Sequence, residues 1–221
     1  MPKRKRNPFV VVEALDAGGS QTQTDYLARR LKKEGKKPLQ LHFPHEDRAT
    51  GRLIYDKFLL NKKMGQHSRR EQALLYILDF YSRNEDIGAV VDSKAKENVV
   101  VSDRYCTSTM AYQTIGLSGA KRQEMLAWIE WLCFKETPRL FKPDLVVFLD
   151  TTVDVSLQRL AKKKKDYFET KAKLTAIRNS YLRLAQEQKW LVFDSIAPDG
   201  IEKTRQALHQ EIWQAVSEKV F

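Results

Sequence analysis

The sequence is poor in cysteine: Cys106 and Cys133 are the only two in 221 residues, and neither stands in a CxxC or His-rich spacing. Two thiols make no disulfide framework and no metal-binding pattern, so both are expected to be reduced. Long apolar runs are missing too. The longest, Phe9 to Val12 and Leu145 to Leu149, fall far short of the roughly 20 residues that a membrane-spanning helix needs. The N-terminal stretch MPKRKRNPFVVVEALDAGG has a basic front, but its apolar part is short and is interrupted by Glu13 and Asp16, unlike a secretory signal. The expectation is a soluble, cytoplasmic protein with no membrane partner. Glycine and proline do not cluster into a linker and no internal repeat is visible, so a single domain over residues 1–221 is expected, with a basic flexible tail at 1–7.

What is abundant is positive charge. Thirty-nine Lys and Arg against 28 Asp and Glu leave a formal net charge of +11. Such a surface attracts polyanions: nucleotide phosphates, nucleic acid or acidic lipid. Part of the excess sits in two runs, Lys3 to Arg6 and Lys162 to Lys165, whose simplest role is that of solvated, flexible segments.

Short apolar runs rich in Val, Leu and Phe lie at 9–13, 38–43, 99–102, 145–150 and 191–194. Their continuity predicts strands buried on both faces. Helical spacing appears at 22–34, 50–60, 72–91, 121–135, 152–162, 170–188 and 201–216. Alternating strands and helices predict an α/β fold, a five-stranded parallel sheet flanked by helices. In such a sheet ligands bind at the C-terminal strand ends, so the residues just after each strand are the first candidates.

After the first of these strands the chain reads Glu13-Ala14-Leu15-Asp16-Ala17-Gly18-Gly19-Ser20-Gln21-Thr22-Gln23. A phosphate loop belongs here. In the GxxxxGK[ST] pattern, glycines let backbone N–H groups wrap the phosphates, the Lys neutralises them and a hydroxyl holds Mg²⁺. This chain has Ala14 for the first Gly, Ser20 for the Lys and Gln21 for the hydroxyl residue. The pattern fails as a pattern, and a plain glycine turn between strand and helix is the alternative. Gly18-Gly19 still permits close backbone approach, and Ser20, Gln21 and Thr22 still donate hydrogen bonds at a helix N-terminus.

Later segments are more specific. Ser102-Asp103-Arg104-Tyr105-Cys106-Thr107-Ser108-Thr109-Met110-Ala111-Tyr112-Gln113 resembles the DRY-x-x-S-x-x-A-Y-Q signature of thymidylate kinases. Leu15-Asp16 with Thr22-Gln23 resembles the phosphate-loop frame of that family, Phe43-Pro44 its second-strand exit, the segment Pro143 to Asp150 its P-D-L-x-x-x-L-D strand, and Asp166-Tyr167-Phe168-Glu169 the D-R-[FY]-E that closes its lid. The resemblance is collinear from Phe9 to Glu169.

It implies a P-loop nucleoside monophosphate kinase fold with a lid at about 161–170, acting on dTMP with ATP as phosphoryl donor and Mg²⁺. It further implies that Arg104 grips the acceptor 5′-phosphate, that Asp103 holds Mg²⁺ through water or orients Arg104, and that Asp16 accepts from the sugar 3′-hydroxyl or helps to position the acceptor phosphate. Residues Ala17, Gly18, Gly19, Ser20, Gln21 and Thr22 would hold the donor phosphates. Phe43, Pro44, Tyr76, Tyr105, Ser108, Thr109, Tyr112 and Gln113 would line the acceptor pocket, Tyr76 stacking on the base and Tyr112 disfavouring a 2′-hydroxyl. Homodimerisation through helices follows by the same resemblance, with Trp128, Trp131, Leu132 and Phe134 as a contact face that could equally be core.

Three departures touch the chemistry. Phe80 stands where the family usually has an Arg that reads the base, with Arg83 one helical turn further on. His42 stands where some members have an Arg, and is expected to be structural. The missing loop Lys leaves room for Lys164 or Lys165 of the lid, or Arg159, to supply the charge; the lid lysines could equally cap a helix C-terminus. Two further readings stay open: a degenerate relative that binds nucleotide without turnover or acts on another deoxynucleoside monophosphate, and a nucleic-acid-binding protein, for which no recognition motif is present.

Overall fold

A computed structural model of the chain describes residues 6–60, 63–135, 139–161 and 169–220. Five strands, β1 (Phe9–Ala14), β2 (Lys37–His42), β3 (Asn98–Asp103), β4 (Leu145–Asp150) and β5 (Leu191–Asp194), form one parallel sheet in the order β2-β3-β1-β4-β5. All six residues of β1 are buried, as its place between β3 and β4 requires.

Successive strand side chains point to opposite faces, so β1 feeds two cores. Val10, Val12 and Ala14 pack with Val99, Val101, Val147 and Leu149 against α1 (Ser20–Lys33) and α9 (Arg205–Val220), through Leu27, Leu31, Leu208, Ile212 and Val216. Phe9 and Val11 point the other way, into the larger core under α3 (Arg69–Tyr81), α5 (Cys106–Gln113), α6 (Gly119–Phe134) and α8 (Lys171–Gln188). The other α-helices among the described residues are α2 (Ala49–Leu53), α4 (Asn84–Val91) and α7 (Val153–Leu160). Among the described residues no helix is long and apolar enough to cross a membrane.

The expected strands agree with the structure to within one or two residues; the helices differ in instructive ways. The helix expected over 72–91 is two, α3 and α4, because the Ser82 hydroxyl donates to the Asp79 carbonyl at 2.6 Å and Arg83 leaves helical geometry. α3 itself starts earlier than its apolar pattern, at a capping box in which Glu71 N–H donates to Ser68 Oγ and Ser68 N–H to the Glu71 carboxylate. The helix expected over 50–60 is α2 followed by a wide π-helical turn, Ile54–Leu59, a deformation often found beside functional sites. No helix is expected from the pattern of 106–113, yet α5 is one. All eight of its residues are buried, so it has no polar face to produce a helical period.

α2 meets the loop after β2 at Gly51, where an added Cβ would lie 2.2 Å from the His45 carbonyl oxygen. The obstacle is backbone, so it cannot swing aside. Gly51→Ala is expected to cost roughly 1–3 kcal/mol of stability, as overpacking does, read as a lower urea midpoint with an unchanged slope. An unchanged midpoint would show that α2 is free to shift away.

Candidate active site

The chain leaves β1 at Ala14 and turns so tightly that Gly18 N–H donates to the Leu15 carbonyl at 2.8 Å. A Cβ on Gly18 would lie 2.7 Å from that oxygen and 2.8 Å from the Ala14 Cβ, so only glycine fits. Ala17 and Gly19 both adopt positive φ, 55° and 103°, and Gly19 caps α1 without a side-chain acceptor. The first N–H groups of α1 are therefore left for a ligand, with the positive end of the helix dipole behind them. Ser156 Oγ–H donates to the Asp16 carbonyl, and Thr151 Oγ–H donates to the Gly18 carbonyl at 2.8 Å. The loop thus keeps a close glycine turn and open helix N–H groups despite Ser20 and Gln21.

Its charge comes from outside. Arg159, at the end of α7, donates from Nη1 to the Ala17 carbonyl at 2.8 Å, and from Nη2 it pairs with Glu202. The same Nη1 would lie 3.8 Å from a Cβ on Gly19, so the guanidinium rests against the cradle itself. Gln23 Nε2 donates to the Arg205 carbonyl at 2.9 Å and ties the first turn of α1 to the start of α9. Lys203 and Arg205 line the same cavity, Lys203 being held by Glu211 at 2.8 Å.

The strand next to β1 contributes the second half. Arg104 directly follows β3, adopts φ 67°, and donates its backbone N–H to the Val12 carbonyl at 3.0 Å. This left-handed backbone, uncommon in a residue with a side chain, turns the guanidinium over the loop. Arg104 Nη2 donates to Asp16 Oδ1 at 2.5 Å and Nη1 to the Tyr112 hydroxyl at 3.1 Å, while that hydroxyl donates to the Asp16 carboxylate at 3.2 Å. Burial alone would lower the Arg104 pKa, but Tyr112 and Asp16 outweigh it and hold the group well above its ordinary value. It stays a cation. Beside it, Asp103 Oδ2 bonds His42 Nδ1 at 2.8 Å, whereas Asp103 Oδ1 is buried with no partner. His42 thus has a carboxylate partner and also lines the cavity.

Beneath both halves lies Glu13, fully buried. It accepts from Tyr105 N–H at 3.2 Å, Thr107 Oγ at 2.5 Å, Ser108 Oγ at 2.5 Å and Tyr181 Oη at 2.8 Å. Burial pushes its pKa up, against the pull of Arg104 and the three hydroxyls. Sequence reasoning counted Glu13 only as an interruption, although a lone carboxylate in an apolar strand is itself a signal of a buried polar network. Tyr181, Lys203 and Arg205 carry no local signal at all.

Most expected site residues do converge. Asp16, Ala17, Gly18, Gly19, Ser20, Gln21, Thr22, Phe43, Pro44, Tyr76, Asp103, Arg104, Ser108, Thr109, Tyr112 and Arg159 line one cavity of about 540 Å³. Two residues expected in the acceptor pocket are not in its wall. Tyr105 is completely buried against Phe9, Phe43 and Phe80, with ring centroids 5.0, 5.9 and 5.1 Å away, so its ring belongs to the core under the sheet. Gln113, at the far end of α5, is buried and accepts at its carbonyl from Arg69 at 2.9 Å. Arg83 does not line the cavity either; it pairs with Asp86 at 2.8 Å. Lys164 and Lys165, with 162–168 of the expected lid, lie outside the described residues.

Comparison with known proteins bears on this geometry. The family model described as thymidylate kinase matches residues 12–208. A probable thymidylate kinase of Methanosphaera stadtmanae is 30% identical over 184 residues, covering 83% of this chain and 87% of the relative. A probable thymidylate kinase of Thermococcus onnurineus is 33% identical over 187 residues, covering 80% and 84%. In three dimensions the chain resembles a thymidylate kinase from Candida albicans, with a TM-score of 0.69 at 20% identity over 96% of this chain and 92% of that one, a likeness of fold. The glycine turn after β1 and Asp103-Arg104 at the end of β3 sit within the matched span, and the chain belongs to the thymidylate kinase family, nucleoside monophosphate kinases that transfer phosphoryl groups.

Proposed function

We propose that this chain, acting as a single domain, passes the γ-phosphoryl group of ATP to the 5′-phosphate of dTMP, and that Arg159 stands in for the lysine its phosphate loop lacks. The observation that carries the reading is the Asp16–Arg104–Tyr112 network. It holds a partly buried guanidinium at the mouth between β1 and β3, where a planar fork of donors suits a phosphate. A protein that merely bound nucleotide has no need of a cation held at a positive φ.

Phosphoryl transfer asks the protein for position and for charge against the moving group. Arg104 grips the acceptor phosphate while Asp16 keeps the guanidinium aimed. The N–H groups at the start of α1 wrap the donor phosphates. Arg159 already spans the cradle and Glu202; exchanging its hydrogen bond to the Ala17 carbonyl for a phosphate oxygen brings its charge onto the donor. Lys164 and Lys165, outside the described residues, would add charge against the donor phosphates.

Mg²⁺ fits this donor set. Among the described residues no cluster of three His, Cys, Asp or Glu side chains is present. A site using one carboxylate plus the substrate phosphates is the usual arrangement for this ion, and the unpartnered, buried Oδ1 of Asp103 supplies it. Asp103 would hold the ion there, and the chemistry it would supply is positive charge against the donor phosphates.

Two further features belong to the proposal. Leu74 and Leu78 on α3 and Trp131 on α6 are each about half exposed, and they favour a homodimer through these adjacent helices; Trp128, Leu132 and Phe134 pack partly into the core instead. Two buried free thiols suit the reducing cytoplasm.

Two experiments test the reading. With ATP and Mg²⁺, dTMP is expected to give dTDP and ADP, and Arg104→Ala to lower kcat/KM for dTMP by about a thousandfold, with the loss of an aimed charge contact. No turnover by the unaltered protein would sink the kinase assignment. Arg159→Ala is expected to lower kcat/KM for ATP by roughly ten- to a hundredfold, and adding Ser20→Lys to that variant to restore most of the loss, because a loop lysine makes the stand-in redundant. Equal activity of Arg159→Ala and the parent would assign the compensating charge elsewhere.

A further inference from the structure

The cavity opens at one edge of the sheet, and most of the net positive charge lies at the other. All five strands run parallel, so the segments that enter them share one edge and the segments that leave them share the opposite edge, where the cavity is. The entering segments, 1–8, 32–37, 92–97, 135–144 and 189–190, hold 14 Lys and Arg against five Asp and Glu, nine of the eleven net charges of the chain. The leaving segments, 15–19, 43–48, 104–105, 151–152 and 195–204, hold three against five. Nucleotide binding in the cavity therefore does not account for the basic surplus.

At the entry edge the carboxylates are mostly engaged. Glu34 pairs with Arg30 at 2.9 Å, Glu97 with Lys37 at 3.0 Å and Asp144 with Arg6 at 2.8 Å. Lys32, Lys33, Lys94, Lys135, Arg139 and Lys189 are exposed and, among the described residues, stand in no ion pair. Helix C-termini favour a nearby cation, and four of these six stand at the ends of α1, α6 and α8. Lys94 and Arg139 stand in loops, so helix ends explain part of the row and not the whole. Like charges gathered on one face repel one another, and a bound polyanion turns that repulsion into attraction.

Two kinds of extended anion fit the sign. Anchoring to an acidic membrane takes a second, apolar signal beside a basic patch, and none of the large apolar side chains that the described residues expose belongs to these segments. A nucleic-acid duplex needs charge alone. Five strands about 4.8 Å apart make an edge roughly 20 Å wide, and a duplex presents about a dozen negative charges over that length, one per roughly 1.7 Å.

We propose that the strand-entry edge, opposite the cavity, binds the phosphate backbone of a nucleic-acid duplex without regard to sequence. No recognition motif is required, because phosphate contacts position a protein on a duplex and carry no sequence information. The proposal is independent of the phosphoryl-transfer reading, which concerns the other edge of the sheet.

The test is fluorescence anisotropy of labelled DNA and RNA duplexes of about 25 base pairs and arbitrary sequence, titrated with the full chain. A dissociation constant of about 10 μM or tighter is expected at about 150 mM salt, and five phosphate contacts make the affinity fall roughly 500-fold between about 50 and 200 mM. Lys32→Gln, Lys94→Gln, Arg139→Gln and Lys189→Gln combined are expected to weaken binding at least about tenfold and to flatten the salt dependence, while dTMP turnover is unchanged. If that variant melts lower than the parent, Lys94→Gln with Arg139→Gln, two exposed loop positions, is read in its place. No binding of either duplex at about 150 mM salt, or equal binding by parent and variant, overturns the proposal. Displacement of the duplex by saturating ATP and dTMP places it in the cavity and overturns it too. So does tighter binding to phosphatidylserine vesicles than to either duplex, which assigns the edge to a membrane.

Discussion

The carboxylate of Glu13 sits at the end of the central strand, out of reach of water, and the functional half of the molecule is organised around it. A charge buried in this way is tolerated only when its oxygens are well provided with donors. Here the donors come from the start of α5, through Tyr105 N–H, Thr107 and Ser108, and from α8, through Tyr181. One acidic side chain thereby fixes the helix that carries Thr109 and Tyr112 against the strand that leads into the phosphate cradle. The left-handed turn at Arg104 lies directly between them, and its strain is held because both ends are anchored.

Charge is distributed across the site rather than concentrated in the loop. The cradle after β1 keeps the geometry for wrapping phosphates, with Gly18 forced by its neighbours and Gly19 by its φ, but it has lost the cation that usually completes it. Arg159 reaches it from α7, Lys203 from the segment before α9 and Arg205 from the first residue of α9. Each of these three comes from the far side of β4 in the chain. Electrostatic stabilisation depends on where a charge stands when the phosphoryl group moves, not on which residue number delivers it.

The fold was legible in the sequence because its signal is local. Continuous apolar runs of four to six residues separated by helical periods specify a parallel sheet, and the positions of β4 and β5 follow from them to the residue. Failures came where periodicity has nothing to report. α5 is buried on every side, so its pattern lacks a polar face, and the break between α3 and α4 depends on one serine hydroxyl capturing a carbonyl. Tyr105 and Gln113 were read into the pocket because they belong to the motif that carries Arg104. A helix turns about 100° per residue, so a motif that runs into α5 places some of its residues in the wall, such as Ser108, Thr109 and Tyr112, and turns others away from it.

By itself the sequence determined that the chain alternates strand and helix, that a glycine turn follows the first strand without its lysine, and that Asp103-Arg104 follows the third. These are statements about residues near each other in the chain, where spacing dictates geometry. Only the tertiary structure decided which distant groups complete the site: Tyr181 on Glu13 across 168 residues, Arg159 on the cradle across 142, and the α9 start on Gln23 across 182. Contacts of that span are set by how the helices pack on the two faces of the sheet, and a one-dimensional pattern carries no record of that packing.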